Sequence, residues 1–306
     1  MSIFNAYMQL SGAIDADVLR DEPLSRRTTL RIGGPADLLV VAHTYTALAY
    51  TIDVLEHEKV SWVVLGKGSN VLCSDRGYRG CAICLGREFS RVTAEGESIT
   101  CGGAVLTSKL VNLALKSSLS GLECCTGIPG TVGGAIAMNA GTRDSWIGSV
   151  VRDVVIARPG EGLLRLAASD IDWGYRSTSL APGDIVLEAT FDLVADEREK
   201  IARRMEALLK RRKLTQPVGL PTCGSVFKNP DGWSVGSLIE RCGLKGTVQG
   251  GARISEVHAN FVVNENGASA DDVCALMKTM QDSVYEAFRI SLEPEVRFLG
   301  FGAQHG

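Results

Sequence analysis

The chain has 306 residues, a hydrophobic fraction of 45% and a formal net charge of −3 at pH 7. This length predicts two domains, or three closely joined ones, because domains usually contain about 100–200 residues. The slightly acidic balance disfavours nucleic-acid binding, since a domain that binds phosphate backbones is usually strongly basic. A small anionic ligand, which needs only a few local donors, remains compatible with this charge.

The N-terminal residues show neither the basic segment nor the apolar segment of a signal peptide. No apolar stretch approaches the roughly 20 residues needed to cross a bilayer, so we expect a cytoplasmic protein without a membrane partner. The nine cysteines are an odd number at irregular spacing, which favours buried thiols over a disulfide framework. Cys81 and Cys84 form a CxxC pair, but no second pair stands at zinc-ribbon spacing and the histidines are scattered. We therefore expect no metal site.

Hydrophobic periodicity and capping residues predict the elements in chain order. The first two thirds are predicted to contain a helix or loose arm over 1–24, a strand over 38–42, a helix over 44–58, strands over 60–65 and 81–85, two short strands within 86–101, a helix over 107–118, strands over 150–158, 163–166 and 185–194, and a charged helix over 196–213. The last third is predicted to contain a strand-like piece over 223–230, a helix over 234–242, a strand within 256–264, a helix over 269–288 and a strand over 292–298.

Two glycine-rich segments dominate the pattern. Residues 127–141 are dense in glycine and free of charge, which lets backbone amides crowd into a concavity suited to a phosphate or pyrophosphate. The alternative is a tight loop of small residues between closely packed elements. Residues 66–71 follow a predicted strand and offer further amides, with an ordinary turn as the alternative. They imitate the GxGxxG fingerprint, but position 71 is valine and no crossover helix is predicted after it, which disfavours a Rossmann fold.

Beyond these patterns, the chain resembles the UDP-N-acetylenolpyruvoylglucosamine reductase (MurB) family over nearly its whole length. Any one of the shared motifs is weak, whereas their order and spacing together are specific. The motifs that carry the resemblance are residues 29–36, 68–70, 127–141, 175–177, 224–230, 258–261 and 293–296.

The resemblance implies an α+β architecture: a two-subdomain FAD-binding fold of the vanillyl-alcohol-oxidase (PCMH) type, with the flavin between the subdomains, plus a C-terminal α+β substrate-binding domain. We expect these parts at residues 1–85, 86–200 and 201–306. It also implies non-covalent FAD, NADPH as co-substrate, a UDP-sugar substrate and no obligatory protein partner. The cofactor-binding residues that it implies are Gly66, Lys67, Gly68, Ser69, Asn70, Val71, Gly127, Ile128, Pro129, Gly130, Thr131, Val132, Gly133, Gly134, Ala137 and Asn139.

The family reaction reduces an enolpyruvyl ether to a lactyl ether, and the resemblance assigns its chemistry to three residues. Ser225 matches the proton donor, Arg176 is a cation suited to a carboxylate, and Glu295 can hydrogen-bond the developing enolic acid. Lys213 and Asn229 would hold the UDP part or the surroundings of the serine. Taken alone, each has a structural alternative, such as a surface arginine, a strand-edge carboxylate or a turn serine.

The chain departs from the usual family pattern at three places. Lys67 stands where a small residue is frequent, and residues 142–146, which include Arg143, replace the usual continuation of the glycine-rich run. The short connection from Arg176 to Ile185 leaves no room for the tyrosine-bearing loop of the longer subtype. We therefore expect the shorter, type II form, which must cover its substrate in another way.

Three other functions compete with this interpretation. A serine hydrolase is disfavoured because residues 224–227 lack the second glycine of a nucleophile elbow. A flavin oxidoreductase of the same fold that acts on an alcohol would often tether its flavin covalently. A nucleotide-sugar sensor would bind a UDP-sugar without oxidising NADPH.

Overall fold

The computed structural model describes residues 2–142 and 144–302. Within them, the helices are α1 (Ile3–Leu10), α2 (Tyr45–His57), α3 (Thr107–Lys116), α4 (Val132–Ala137), α5 (Arg198–Thr215), α6 (Val235–Arg241) and α7 (Ala270–Phe288). The strands are β1 (Ala16–Pro23), β2 (Pro35–Ala42), β3 (Trp62–Val64), β4 (Val71–Cys73), β5 (Tyr78–Leu85), β6 (Val92–Glu95), β7 (Ser98–Gly102), β8 (Leu119–Ser120), β9 (Val151–Arg158), β10 (Gly162–Ala167), β11 (Trp173–Gly174), β12 (Ser177–Thr178), β13 (Ile185–Asp192), β14 (Val194–Ala195), β15 (Thr222–Ser225), β16 (Val248–Gln249), β17 (Ala252–Ile254), β18 (Phe261–Asn264) and β19 (Arg297–Leu299).

The chain divides into two compact units, each assembled from separate segments. The first unit contains the chain up to Arg20, then Leu38–Lys67 and Gly80–Arg211. The second unit contains Asp21–Asp37, Gly68–Arg79 and the chain from Arg212 onward. The expected domain boundaries at residues 85 and 200 stay a prediction.

The first unit has two hydrophobic cores. A four-stranded sheet in the order β1-β2-β5-β3, whose strands lie largely in this unit, shares one core with α1 and α2, including Ala6, Val40 and Leu48. A five-stranded antiparallel sheet in the order β10-β9-β13-β7-β6 shares the other core with α3 and α4. Ile136 of α4 and Phe191 of β13 are fully buried there, which anchors the glycine-rich run to this sheet.

The second unit is built on an antiparallel sheet in the order β15-β18-β17-β16 and on the parallel pair β4 and β19. Its core joins α6 and α7 to these strands through residues such as Val226, Leu238 and Met280. Leu30 and Leu72, from the N-terminal part of the chain, are fully buried in the same core. The short stretch that carries Ser225 is therefore supported by residues distant in sequence.

Most predicted elements are confirmed, because their signals are local. The Thr44 hydroxyl accepts a hydrogen bond from the Ala47 amide at 3.1 Å and so begins α2. Before α7, the Asp272 amide donates to the Ser269 hydroxyl at 3.0 Å, and the Ser269 amide donates to the Asp272 carboxylate at 2.9 Å. These two bonds form a capping box at the start of the predicted helix. No helix follows residues 66–71, as expected, and β4 begins there instead.

Several element predictions are wrong or incomplete, and the short strands β4, β11, β12, β16 and β17 were not predicted. Residues 16–23 form the edge strand β1, where we expected a helix or loose arm. The exposed residues of β1 are mostly charged, so hydrophobic periodicity is weak and backbone pairing decides the conformation. A short helix, α4, lies inside the glycine-rich run. The final strand covers only Arg297–Leu299 of the expected 292–298.

Mixed helices and mainly antiparallel sheets confirm the α+β class. None of the helices in residues 2–142 and 144–302 is both long and apolar enough to span a membrane. The same residues contain no cluster of three or more His, Cys, Asp or Glu side chains arranged to hold a metal ion.

Candidate active site

The glycine-rich run begins with a type II turn over residues 125–128. The Ile128 amide donates to the Cys125 carbonyl at 3.1 Å. Between them, Thr126 has φ −60° and ψ 122°, and Gly127 has φ +75°. The second central position of this turn needs a positive φ, which glycine adopts without strain. The turn directs the chain towards Gly130, which also requires a positive φ of 136°.

The first amides of α4 are already used inside the protein. Val132 donates to the Val105 carbonyl and Gly133 to the Gly103 carbonyl, both at 2.8 Å. The Thr131 hydroxyl, which caps the helix, accepts from the Gly134 amide at 3.4 Å. The backbone amides of Val132, Gly133 and Gly134 therefore already donate to protein acceptors, although all three residues were predicted to bind cofactor. Any cofactor contact that they make must come from other atoms.

Four other backbone amides in the two glycine-rich segments are not used inside the protein. Within residues 2–142 and 144–302, the amides of Gly130 and Thr131 have no protein acceptor, and neither do those of Gly66 and Lys67. The two predicted loops also meet, because a Cβ placed on Gly66 would lie 2.6 Å from the Thr131 hydroxyl oxygen. Such close approach with unused donors suits a pyrophosphate, so the residues present fit the FAD that the sequence predicts. The exposed side chain of Lys67 adds a mobile positive charge.

In the second unit, the same loop continues against residues 27–29. Gly68 has φ +58°, and a Cβ there would lie 2.5 Å from the Arg27 carbonyl oxygen. The Thr29 amide donates to the Gly68 carbonyl at 3.2 Å, and the Thr29 hydroxyl donates to the Thr222 carbonyl at 2.7 Å. The loop is thereby connected to the start of β15, the strand that ends at Ser225.

Ser225 and Glu295 come together in this unit. The Glu295 amide donates to the carbonyl of Val226, the residue after Ser225, at 2.9 Å. The Asn70 side-chain amide donates to the Glu295 carbonyl at 3.0 Å. Gly224 has φ +81°, and a Cβ there would lie 3.9 Å from the Ser69 carbonyl oxygen. Two predicted catalytic residues and two predicted cofactor-binding residues are thus neighbours.

Asn260, to which the sequence analysis assigned no role, fixes the backbone after Ser225. Its carboxamide oxygen accepts from the Phe227 amide at 3.1 Å, and its nitrogen donates to the Phe227 carbonyl at 2.8 Å. The Asn260 carbonyl accepts from the Val226 amide at 2.9 Å. Asn260 is 2% exposed. The sequence signal for it is one amide between apolar residues in the run 259–263.

The thiol that precedes this site is held neutral. Burial raises the pKa of Cys223 to about 12, and the negative charge of Glu295 adds to the increase. Cys223 therefore stays protonated near neutral pH.

Arg176 occupies a strained turn in the first unit. Strands β11 and β12 pair as a hairpin whose two-residue loop is Tyr175 and Arg176. Arg176 has φ +58°, a conformation that residues other than glycine rarely adopt and that clusters at functional sites. Its guanidinium donates to the Gly141 carbonyl at 3.0 Å and lies 5.4 Å from the Tyr175 ring centre.

Asn139 connects this hairpin to the end of the glycine-rich run. Its nitrogen donates to the Gly174 carbonyl at 2.9 Å, and its oxygen accepts from the Gly148 amide at 3.2 Å. Asn139 is 4% exposed, so its side chain acts inside the protein. In the segment that departs from the family pattern, the Thr142 amide donates to the Ser145 carbonyl at 2.7 Å, while Arg143 lies outside the described residues.

The predicted substrate-binding residues lie in the second unit. Lys213 is exposed in the last turn of α5, where the helix dipole favours a positive charge. The Asn229 side-chain oxygen accepts from the Val235 amide at 2.9 Å and supports the first turn of α6. Their contacts with substrate stay predictions, as do the individual cofactor contacts.

Comparisons with known proteins agree with this geometry. The model of the FAD binding domain family matches residues 36–158, and that of the UDP-N-acetylenolpyruvoylglucosamine reductase C-terminal domain matches residues 216–299. A UDP-N-acetylenolpyruvoylglucosamine reductase from Bacillus pumilus is 40% identical over 97% of this chain and 98% of its own length. One from Geobacter metallireducens is 39% identical over 96% of this chain and 98% of its own length.

The crystal structure of UDP-N-acetylenolpyruvylglucosamine reductase from Thermus caldophilus has a TM-score of 0.81 at 35% identity. The match covers 94% of this chain and 99% of that one. The predicted FAD-binding fold and the resemblance are thereby confirmed. The chain belongs to the UDP-N-acetylenolpyruvoylglucosamine reductase family.

Proposed function

We propose that this protein reduces UDP-N-acetylglucosamine enolpyruvate to UDP-N-acetylmuramate with NADPH, using non-covalent FAD, in peptidoglycan precursor synthesis. The observation that carries the proposal is the contact between the Ser225 and Glu295 segments, joined by Asn70. This contact supports the assignment of Ser225 as proton donor with Glu295 as its acidic partner, on a chain of the reductase family. Neither an alcohol oxidase nor a sensor requires that combination.

The glycine-rich loops are proposed to hold FAD through the amides of Gly66, Lys67, Gly130 and Thr131. When bound, FAD supplies two-electron carrier chemistry, through which reducing equivalents pass from NADPH to the enolpyruvyl double bond. Lys67 is proposed to add an ion pair with the pyrophosphate, and Ser69 and Asn70 are proposed as further cofactor-binding residues. Crowded backbone donors and one cation are well suited to the charge of a pyrophosphate.

Ser225 is proposed to donate its hydroxyl proton to the substrate carbon next to the carboxylate. A serine hydroxyl is a weak acid, so it can act only when held against a strongly basic carbon. Phe261 stands opposite it in the sheet, and Asn260 fixes the backbone of Phe227 two residues later. This rigid support suits a reaction in which small displacements greatly reduce the rate.

Arg176 and Glu295 are proposed to stabilise the negative charge that develops on the substrate. The Arg176 guanidinium is permanently charged and forks onto a carboxylate. Glu295 would hydrogen-bond the enolic oxygen when protonated. Lys213 and Asn229 are proposed to bind the UDP part, where a lysine offers a compact charge for phosphate.

The decisive experiment is an absorption spectrum of the purified full-length chain, followed by an NADPH oxidation assay. We expect a yellow protein that oxidises NADPH when UDP-N-acetylglucosamine enolpyruvate is present and releases its flavin on denaturation. Flavin that stays with the denatured chain would support the alcohol oxidase. UDP-sugar binding without NADPH oxidation would support the sensor, and burst release from an activated ester would support the hydrolase.

A further inference from the structure

Two adjacent cysteines outside the proposed chemistry form a close thiol pair. Cys124 and Cys125 lie in a 3₁₀ turn of the first unit, directly before the type II turn that opens the glycine-rich run. Their sulfur atoms are 3.8 Å apart and share a hydrogen bond. Both cysteines are free thiols, and their exposed fractions are 6% for Cys124 and 0% for Cys125. Neither has a part in the reaction proposed above.

The surroundings favour the nucleophilic form of one of these thiols. The hydrogen bond between Cys124 and Cys125 outweighs burial and lowers the pKa of Cys124. A thiolate is the reactive form of cysteine, so this contact favours the nucleophilic form of Cys124. In contrast, burial raises the pKa of Cys101 to about 12.

The same geometry disfavours a disulfide between the two residues. Consecutive Cα atoms are about 3.8 Å apart across a trans peptide, whereas disulfides usually need about 4.4–6.8 Å. The two sulfurs would also have to approach to roughly 2.05 Å. An atom inserted between the sulfurs avoids this strain, because it bonds to both while they stay well separated.

We propose that Cys124 and Cys125 form a dithiol site for trivalent arsenicals. One arsenic(III) oxide group condenses with the two thiols, forming two As–S bonds and releasing one water molecule. The arsenic oxygen leaves with both thiol protons, and no oxidation or reduction occurs. Both sulfurs are buried, so the reagent enters when the 3₁₀ turn over 123–125 opens locally.

The probe is phenylarsine oxide, titrated into the FAD-loaded full-length protein and followed by native mass spectrometry. We expect one adduct per chain, reversed by 2,3-dimercaptopropanol and resistant to an equal concentration of 2-mercaptoethanol. A variant with one thiol can form only one As–S bond, so it loses the gain in affinity that comes from binding one arsenic atom with two thiols. Cys124→Ser and Cys125→Ser should therefore each weaken binding by about 10²–10⁴-fold. Cys242→Ser, which alters a partly buried cysteine elsewhere, should leave binding unchanged.

A mapping measurement covers the case in which the serine variants fail to fold. Wild-type protein treated with phenylarsine oxide is denatured, alkylated with iodoacetamide and digested. Protection of both Cys124 and Cys125 supports the site. Labelling of both residues, an adduct on another cysteine, or unchanged affinity in the two serine variants would overturn it.

Discussion

The most informative perturbation removes the carboxamide that holds the Phe227 backbone. Asn260→Ala leaves the Phe227 amide and carbonyl without the partners that now lie at 3.1 and 2.8 Å. Phe227 is fully buried, so water reaches these groups poorly. Each buried group left unpaired costs about 1–3 kcal/mol, so the two groups give a total loss of roughly 2–6 kcal/mol.

That loss should be visible both in stability and in one step of the reaction. We expect the Tm of the FAD-saturated protein to fall by roughly 4–24 °C, at about 2–4 °C per kcal/mol. Because Ser225 lies two residues before Phe227, proton donation should also suffer. A displacement of about 1 Å can reduce a rate by roughly 10²-fold. Flavin reduction by NADPH does not use Ser225 and should change little.

The assay is stopped-flow absorption of the flavin band, in two half-reactions, together with thermal unfolding. Asn264→Ala is the matched control, because its side chain also makes two backbone contacts: it donates to Leu30 at 3.0 Å and accepts from Ala268 at 2.8 Å. The control should lose stability but keep the rate of flavin oxidation by substrate. If Asn260→Ala unfolds earlier yet oxidises its flavin at the wild-type rate, our assignment of Asn260 as a positioning residue is refuted.

Three further predictions test other parts of the molecule. Ser225→Ala should keep flavin reduction by NADPH and slow flavin oxidation by substrate by orders of magnitude in the same stopped-flow assay; comparable turnover would remove Ser225 from its role. Lys67→Ala should weaken FAD binding about 3–10-fold in low salt and flatten its salt dependence, as one ion pair with phosphate is lost; an unchanged salt slope in flavin-fluorescence titrations would show that Lys67 has no contact with the cofactor. Burial opposes ionisation of Glu123, but the Gly121 amide and Arg204 outweigh it and lower its pKa. This carboxylate therefore stabilises the fold above its unfolded pKa, and the contribution disappears as pH falls through the folded pKa. Glu123→Gln should lower the Tm at pH 7, and the difference in Tm between wild type and variant should become smaller in acid. A difference in Tm that does not change with pH would contradict this linkage.

Local signals in the chain were enough for most elements. Thr44 and the pair Ser269 and Asp272 mark helix starts through hydrogen bonds to amides three residues away, so no distant contact is needed to recognise them. Glycine adopts positive φ angles without strain, and Gly127 and Gly130 both have positive φ angles in the structure. Strand β1 was not predicted because its conformation depends on pairing with β2, and no signal within residues 16–23 indicates that pairing.

Tertiary structure decides which amides of the glycine-rich run are paired inside the protein. In the sequence every residue of the run except Pro129 offers an amide that could bind an anion, yet the carbonyls of Val105 and Gly103 accept the amides of Val132 and Gly133. Which amides stay available depends on carbonyls almost 30 residues earlier in the chain, and no local pattern encodes that pairing. Asn139 shows the same limit, because its amide holds Gly174 inside the protein.

The amino-acid sequence by itself determined the family, the α+β class and the residue types suited to the chemistry, because these depend on composition and on motif order. Only the tertiary structure decided that Ser225 and Glu295 are neighbours, that Asn260 supports them and that Arg176 takes a left-handed turn conformation. The physical reason is distance along the chain. Hydrogen bonds between residues 33 to 225 positions apart form only after the chain has folded, and they fix where each functional side chain stands.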